Sequence, residues 1–196
     1  MLDKMEEKMR QLNLNMESSL FLQKGETEKV KHSLKLSKAK KILVSSTLQG
    51  EGKTTIALNV CAALAEDGDH VLYIGGSSKL IDVNENEMGK VLDSGISNFD
   101  IIINNNLGKS LDYLEAERYN YIFIEAPAIE DSKEGIFLAD SSDLILFVVE
   151  TNRAGYKQLK DAKKLLTEGN CKDFRVVLNR VKKDYGVLKR RKVRRD

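Results

Sequence analysis

The chain has no tryptophan, a single proline (Pro127), two cysteines and no long apolar run. Cys61 and Cys171 lie far apart, which excludes a disulfide framework and offers no metal-ligand spacing. A reducing compartment, the cytoplasm, is therefore expected. The longest apolar stretch, near Leu144 to Val149, is far short of the ~20 residues a membrane helix needs. The polar N-terminus lacks the apolar core of a signal peptide. Neither sign of charge dominates, with 32 Lys and Arg against 30 Asp and Glu. A content of 41% hydrophobic and 32% charged residues argues against disordered and fibrous classes. At 196 residues the length fits one domain.

The near-neutral total conceals an asymmetry. Residues 182–196 carry eight Lys or Arg against two Asp, a net of +6, so the remainder sums to −4 in a chain of +2. Residues 183–196 read as a basic mobile tail. A solubilising end is the plainest role for it. Contact with an anionic membrane follows next, at ~1 kcal/mol per basic residue near the surface. Nucleic acid is disfavoured, because no aromatic side chain interleaves the basic run at 189–195 as a stacking platform.

At the other end, Leu2, Met5, Met9, Leu12 and Met16 recur at spacings of three and four, an amphipathic helical stripe. Residues 1–40 are read as an N-terminal helical segment for self-association or partner binding, residues 24–40 being a polar connector with one helical stretch. Residues 41–182 alternate short apolar runs with longer mixed segments. Strands are expected at Lys41–Ser46, His70–Gly75, Phe99–Ile103, Tyr121–Glu125, Leu144–Glu150 and Phe174–Asn179. Helices are expected at Gly52–Glu66, Glu85–Leu92, Leu107–Arg118, Lys133–Ala139 and Ala154–Glu168. Strands apolar on both faces, alternating with helices, give an α/β doubly wound, mostly parallel sheet. Such sheets bind ligands at the carboxyl ends of their strands.

The strongest chemical signal is Thr47-Leu48-Gln49-Gly50-Glu51-Gly52-Lys53-Thr54-Thr55, between a strand and a helix. That is the setting of a P-loop. Gly50 and Gly52 let the backbone wrap a phosphate, and the helix start supplies N–H donors. Lys53 reaches the terminal phosphates in this pattern, and the Thr54 hydroxyl ligates Mg²⁺. Thr47 stands where the usual pattern has its first glycine. His70 and Cys61 read as structural. Arg153 follows a strand end and reads as a surface arginine.

Ser45 to Ala57 resembles the P-loop of bacterial tyrosine kinases of the capsule and exopolysaccharide type. Three further segments match that family in order. Glu7 to Asn15 resembles its N-terminal Glu-x-x-Arg-x-x-Arg oligomerisation motif, with Asn13 in place of the second arginine. Tyr119 to Pro127 resembles its Walker B segment, with Glu125 in place of aspartate. Val176 to Val181 resembles its last core strand, where Asn179 would lie near the adenine. The related chromosome-partitioning and septum-site ATPases carry a second P-loop lysine at the position of Leu48.

The resemblance implies a P-loop NTPase fold and ATP with Mg²⁺ as cofactors. Gly50, Glu51, Gly52, Lys53, Thr54 and Thr55 would cradle the phosphates, and Asn179 would approach the base. Thr54 and Glu125 would hold the metal, and Lys53 and Glu125 would carry the catalysis. It further implies a homo-oligomer at the inner face of the membrane, coupled there through a separate polysaccharide co-polymerase. Two departures oppose full kinase activity. Gly75 and Ser77 occupy the positions of the family's Asp-x-Asp motif, and the tail holds one tyrosine, Tyr185, instead of a cluster. Asp82 and Glu85 follow, and read as a solvated acidic loop. A pseudokinase governed by ATP occupancy and a positioning ATPase acting through the tail are the alternatives.

Overall fold

The computed structural model describes residues 24–76, 85–105, 107, 116–168, 171 and 173–180. The expected amphipathic helix in residues 1–20, the tail at 183–196, Ser77 and Asp82 lie outside them. Four helices are described: α1 (Lys24–Ser37), α2 (Lys53–Glu66), α3 (Glu134–Asp140) and α4 (Tyr156–Thr167). Seven strands are described: β1 (Lys41–Ser46), β2 (Val71–Gly75), β3 (Val91–Asp93), β4 (Phe99–Ile103), β5 (Tyr121–Glu125), β6 (Leu144–Glu150) and β7 (Asp173–Asn179).

The strands form one sheet in the order β3-β4-β2-β5-β1-β6-β7. Among these pairs only β3–β4 is antiparallel. The doubly wound, mostly parallel α/β architecture is therefore present. β1 runs between β5 and β6, with Ile42 opposite both Phe123 and Leu144. Successive strand residues point to opposite faces. Ile42, Val44, Val71, Tyr73 and Phe123 pack with Ile56, Val60 and Leu64 of α2. Leu43, Leu72, Ile74, Ile124 and Phe147 pack with Leu138 of α3 and Leu166 of α4 on the other face. Helix α2 is buried along most of its circumference, in contact with both the sheet and α1. That explains its weak amphipathicity, as expected for a core helix. Cys61 is fully buried there, and burial pushes its thiol well above the ordinary value.

The described part of segment 1–40 packs on this domain. Leu34 of α1 is fully buried. Lys31 and Lys35 donate to Asp67, just past α2, at 3.0 and 2.6 Å. The Arg175 guanidinium of β7 donates to the Ser33 carbonyl and to its hydroxyl.

One element differs from expectation. Glu85–Leu92 is not an α-helix: a 3₁₀ turn at Glu85–Glu87 leads into β3. Gly89 closes that turn at φ +76 and donates to the Ile103 carbonyl at 2.8 Å. Val91 and Leu92 then pair with Ile102 and Ile101. The stretch has no helical apolar stripe to bury, and a half-exposed edge strand satisfies its backbone instead. Of the expected helix 107–118, the described residues are Leu107 and a 3₁₀ turn at Ala116–Arg118.

Candidate functional site

The loop after β1 is held from three directions. Gly50 and Gly52 take φ of +79 and +95, in the left-handed region that favours glycine. A Cβ on Gly52 would stand 2.2 Å from the Asn179 amide nitrogen. That nitrogen donates to the Glu51 carbonyl at 2.8 Å, and the amide oxygen of Asn179 accepts the Arg180 N–H at 2.8 Å. The Glu51 side chain turns inward and is fully buried. Its carboxylate accepts the Leu48 N–H at 2.7 Å and the Glu150 N–H at 3.1 Å. Arg153 lies over Gly50, donating to the Gln49 carbonyl at 2.7 Å and to the Glu150 carboxylate at 2.9 Å. Arg180 reaches the same Glu150 oxygen at 2.9 Å. Hydrogen bonds from Arg153 and Arg180 hold the Glu150 carboxyl below its ordinary range.

The reactive side chains converge where β1, β2 and β5 end. The Lys53 ammonium is nearly buried and donates to the Ser46 hydroxyl at 3.0 Å. Burial lowers its pKa, opposed by the charges of Glu125, Glu51 and Asp131. Thr54 donates to Glu125 Oε1 at 2.7 Å, and Tyr73 donates to Glu125 Oε2 at 2.6 Å. Burial raises the Glu125 carboxyl above its ordinary value, opposed by these two hydroxyls and by Lys53. Gly75 stands in register opposite Glu125, on the neighbouring strand.

A cavity of ≈ 760 Å³ opens beside these groups. Gly50, Gly52, Lys53, Thr54, Thr55 and Glu125 line it, so six of the eight expected site residues meet there. Glu51 and Asn179 do not line it; their side chains brace the loop from behind. Asp131, Glu134 and Arg180 are additional members of the wall. The two acids arrive because the segment after Pro127 folds back onto the P-loop. Ile129 N–H donates to the Ser46 carbonyl at 3.0 Å and Glu130 N–H to the Thr47 carbonyl at 3.2 Å. The acidic cluster following Pro127 was the available sequence signal for them. Tyr73 carried none, reading as one more buried strand residue. Arg153 proves to be a P-loop contact as well as a partly exposed arginine.

Residues 42–195 match the family model described as the CobQ/CobB/MinD/ParA nucleotide-binding domain. The chain belongs to this nucleotide-binding family. No curated protein matches it. Among solved structures, this CobQ/CobB/MinD/ParA-type domain is similar to the kinase domain of the Escherichia coli tyrosine kinase ETK. The TM-score is 0.68 at 16% identity, covering 82% of this chain and 76% of that one. The VpsO kinase domain gives 0.62 at 21% identity over 90% and 98% of the two chains. The MinD cell division protein of Aquifex aeolicus gives 0.60 at 22% identity over 74% and 70%. These likenesses establish the fold that kinase and MinD-type members share.

The donor set of this nucleotide-binding domain fits Mg²⁺ held together with phosphates. A hydroxyl has one proton and two lone pairs. Thr54 gives its proton to Glu125 and keeps its lone pairs for a cation. Each Glu125 oxygen takes one hydrogen bond and retains acceptor capacity. Among the described residues no group of three or more His, Cys, Asp or Glu is arranged to hold a metal ion. Mg²⁺ bound through few protein oxygens completes its shell with waters and substrate phosphates. Among those residues, too, no helix is long and apolar enough to cross a membrane.

Proposed function

We propose that this domain binds ATP with Mg²⁺ as a tyrosine-kinase-like protein of capsular or exopolysaccharide assembly. Its partner in this reading is a membrane polysaccharide co-polymerase, which brings it to the cytoplasmic face of the membrane. Self-association through the Glu7 and Arg10 segment belongs to the same reading. The observation that carries the nucleotide chemistry is the 2.7 Å bond from Thr54 Oγ1 to Glu125 Oε1. It joins the first turn of α2 to the end of β5 beside Lys53, the one cavity-lining lysine among the described residues. The order of the four matching sequence segments and the absence of a lysine at Leu48 support the kinase branch.

Phosphoryl transfer depends mainly on positioning and charge stabilisation. Lys53 leaves Ser46 and takes the terminal phosphates. Ser46 loses only an accepted hydrogen bond, since its own proton stays on the Leu48 carbonyl at 2.8 Å. Main-chain N–H groups at the start of α2 lack intrahelical partners and donate to phosphate oxygens. The ion's contribution is to neutralise charge between the phosphates. Glu51, Asn179 and Arg153 keep the loop in its receiving shape.

A second reading is a pseudokinase in which ATP occupancy regulates assembly. Gly75 favours it, because it supplies no carboxylate opposite Glu125. Removing one preorganised transition-state group costs ~10²–10³ in rate. Incubating the purified protein with Mg²⁺-ATP and the co-polymerase's cytoplasmic segment separates the two. Phosphotyrosine that disappears in Lys53→Ala supports the kinase. ATP binding without phosphotyrosine leaves the pseudokinase, and no ATP binding overturns both.

A further inference from the structure

Tyr73 and Gly75 lie on the same face of β2, two residues apart, at the wall that carries Glu125. The tyrosine ring bends over the glycine. A Cβ on Gly75 would lie 2.4 Å from the Tyr73 hydroxyl and 2.7 Å from its Cζ. Any side chain at position 75 therefore expels the hydroxyl from where it sits. Tyr73 is only 1% exposed, so its hydroxyl has little access to bulk water. It donates to Glu125 Oε2 at 2.6 Å while Thr54 donates to Oε1 at 2.7 Å. Both carboxylate oxygens are thereby fixed, each by a different strand or helix.

We propose that Tyr73 is a positioning residue for the divalent cation, with Gly75 as the vacancy that admits it. This inference rests on the Mg²⁺-ATP reading above. The tyrosine occupies the place beside Glu125 that a side chain at position 75 would otherwise fill. It is a neutral donor, so it orients the one carboxylate without adding negative charge. Glu125 has one more methylene and one more rotatable bond than an aspartate. Left with Thr54 alone, its carboxylate would swing about that single anchor. With Tyr73 in place, both Glu125 oxygens stay hydrogen-bonded and the Thr54 proton stays on Glu125. The tyrosine's place depends on the glycine, since a Cβ at position 75 would lie 2.4 Å from the Tyr73 hydroxyl.

The test uses the full chain and a fluorescent ATP analogue, with its affinity measured while Mg²⁺ is titrated and again in EDTA. Tyr73→Phe keeps the ring and its packing and removes the hydroxyl. Gly75→Ala keeps the hydroxyl and displaces it. Both are expected to raise the Mg²⁺ concentration at half-effect about tenfold, the scale of one hydrogen bond to a charged group. Affinity in EDTA stays within about twofold of the wild type. A purely structural role for Tyr73 would lower the melting temperature and leave the Mg²⁺ midpoint alone. An unmoved midpoint in both variants, with the wild type binding nucleotide normally, overturns the inference while sparing the Mg²⁺-ATP reading. A wild-type protein that binds no nucleotide overturns both.

Discussion

Glu51 and Glu150 are 99 positions apart, yet the Glu51 carboxylate accepts the Glu150 main-chain N–H at 3.1 Å. The same carboxylate accepts the Leu48 N–H at 2.7 Å. One fully buried acid thus fixes the P-loop to the end of β6. Glu51→Ala leaves two donors unpaired, at a cost of about 2–4 kcal/mol. Urea unfolding measures this directly. Nucleotide affinity is expected to fall about tenfold with it, because the loop loses its preset shape. Gln at this position keeps one acceptor oxygen and falls between.

Gly52→Ala meets two obstacles. The backbone stands at φ +95, and the new Cβ would lie 2.2 Å from the Asn179 amide nitrogen. A left-handed non-glycine residue costs about 1–2 kcal/mol, before Asn179 moves. The expected melting-temperature loss is about 2–8 °C. A nucleotide titration is expected to show no saturable binding.

Leu34 and Leu36 sit two residues apart on α1 in opposite environments, one at 0% and the other at 70% exposure. Leu34→Ala is expected to cost about 2–5 kcal/mol. Leu36→Ala is expected to stay within about 0.5 kcal/mol. Equal, small effects in denaturant unfolding would mean that α1 is not part of the cooperative unit.

Asp67 accepts from Lys35 at 2.6 Å and Lys31 at 3.0 Å. Those two hydrogen bonds hold its carboxyl below the ordinary value of 3.8. The folded protein therefore binds this proton less readily than the unfolded chain. The stabilisation is complete above that ordinary value and is lost as pH falls through the depressed one. Its side chain is 37% exposed, which keeps the contribution under about 1 kcal/mol. Asp67→Asn is expected to lower the melting temperature at neutral pH, with the gap to wild type closing in strong acid.

Much of this was legible in the sequence because β1, β5 and β6 are apolar on both faces. Their bounds, Lys41–Ser46, Tyr121–Glu125 and Leu144–Glu150, match the expected ones. The P-loop was legible because its glycines and its lysine do their work through neighbouring positions. β3 was not, since Val91 and Asp93 are exposed at an edge and carry little periodicity. Side-chain direction was the harder problem. Glu51 sits in the motif but points into the fold, and Arg153 reaches the loop from beyond β6. The partnership of Tyr73 with Glu125 depends on a register between strands that are not consecutive in the chain. No local pattern records such a pairing.

The central place of β1 also has a consequence for synthesis. The strand that feeds the P-loop is made early, but its neighbours are made late: Ile42 waits for Phe123 on one side and Leu144 on the other. Glu51 likewise waits for Glu150. Such distant pairings come late, because the connecting chain must be ordered first. A polypeptide emerging from the ribosome therefore carries the P-loop sequence, until Glu150 has been made, without the contact that shapes the loop. Nucleotide binding is expected only once β6 has joined the sheet.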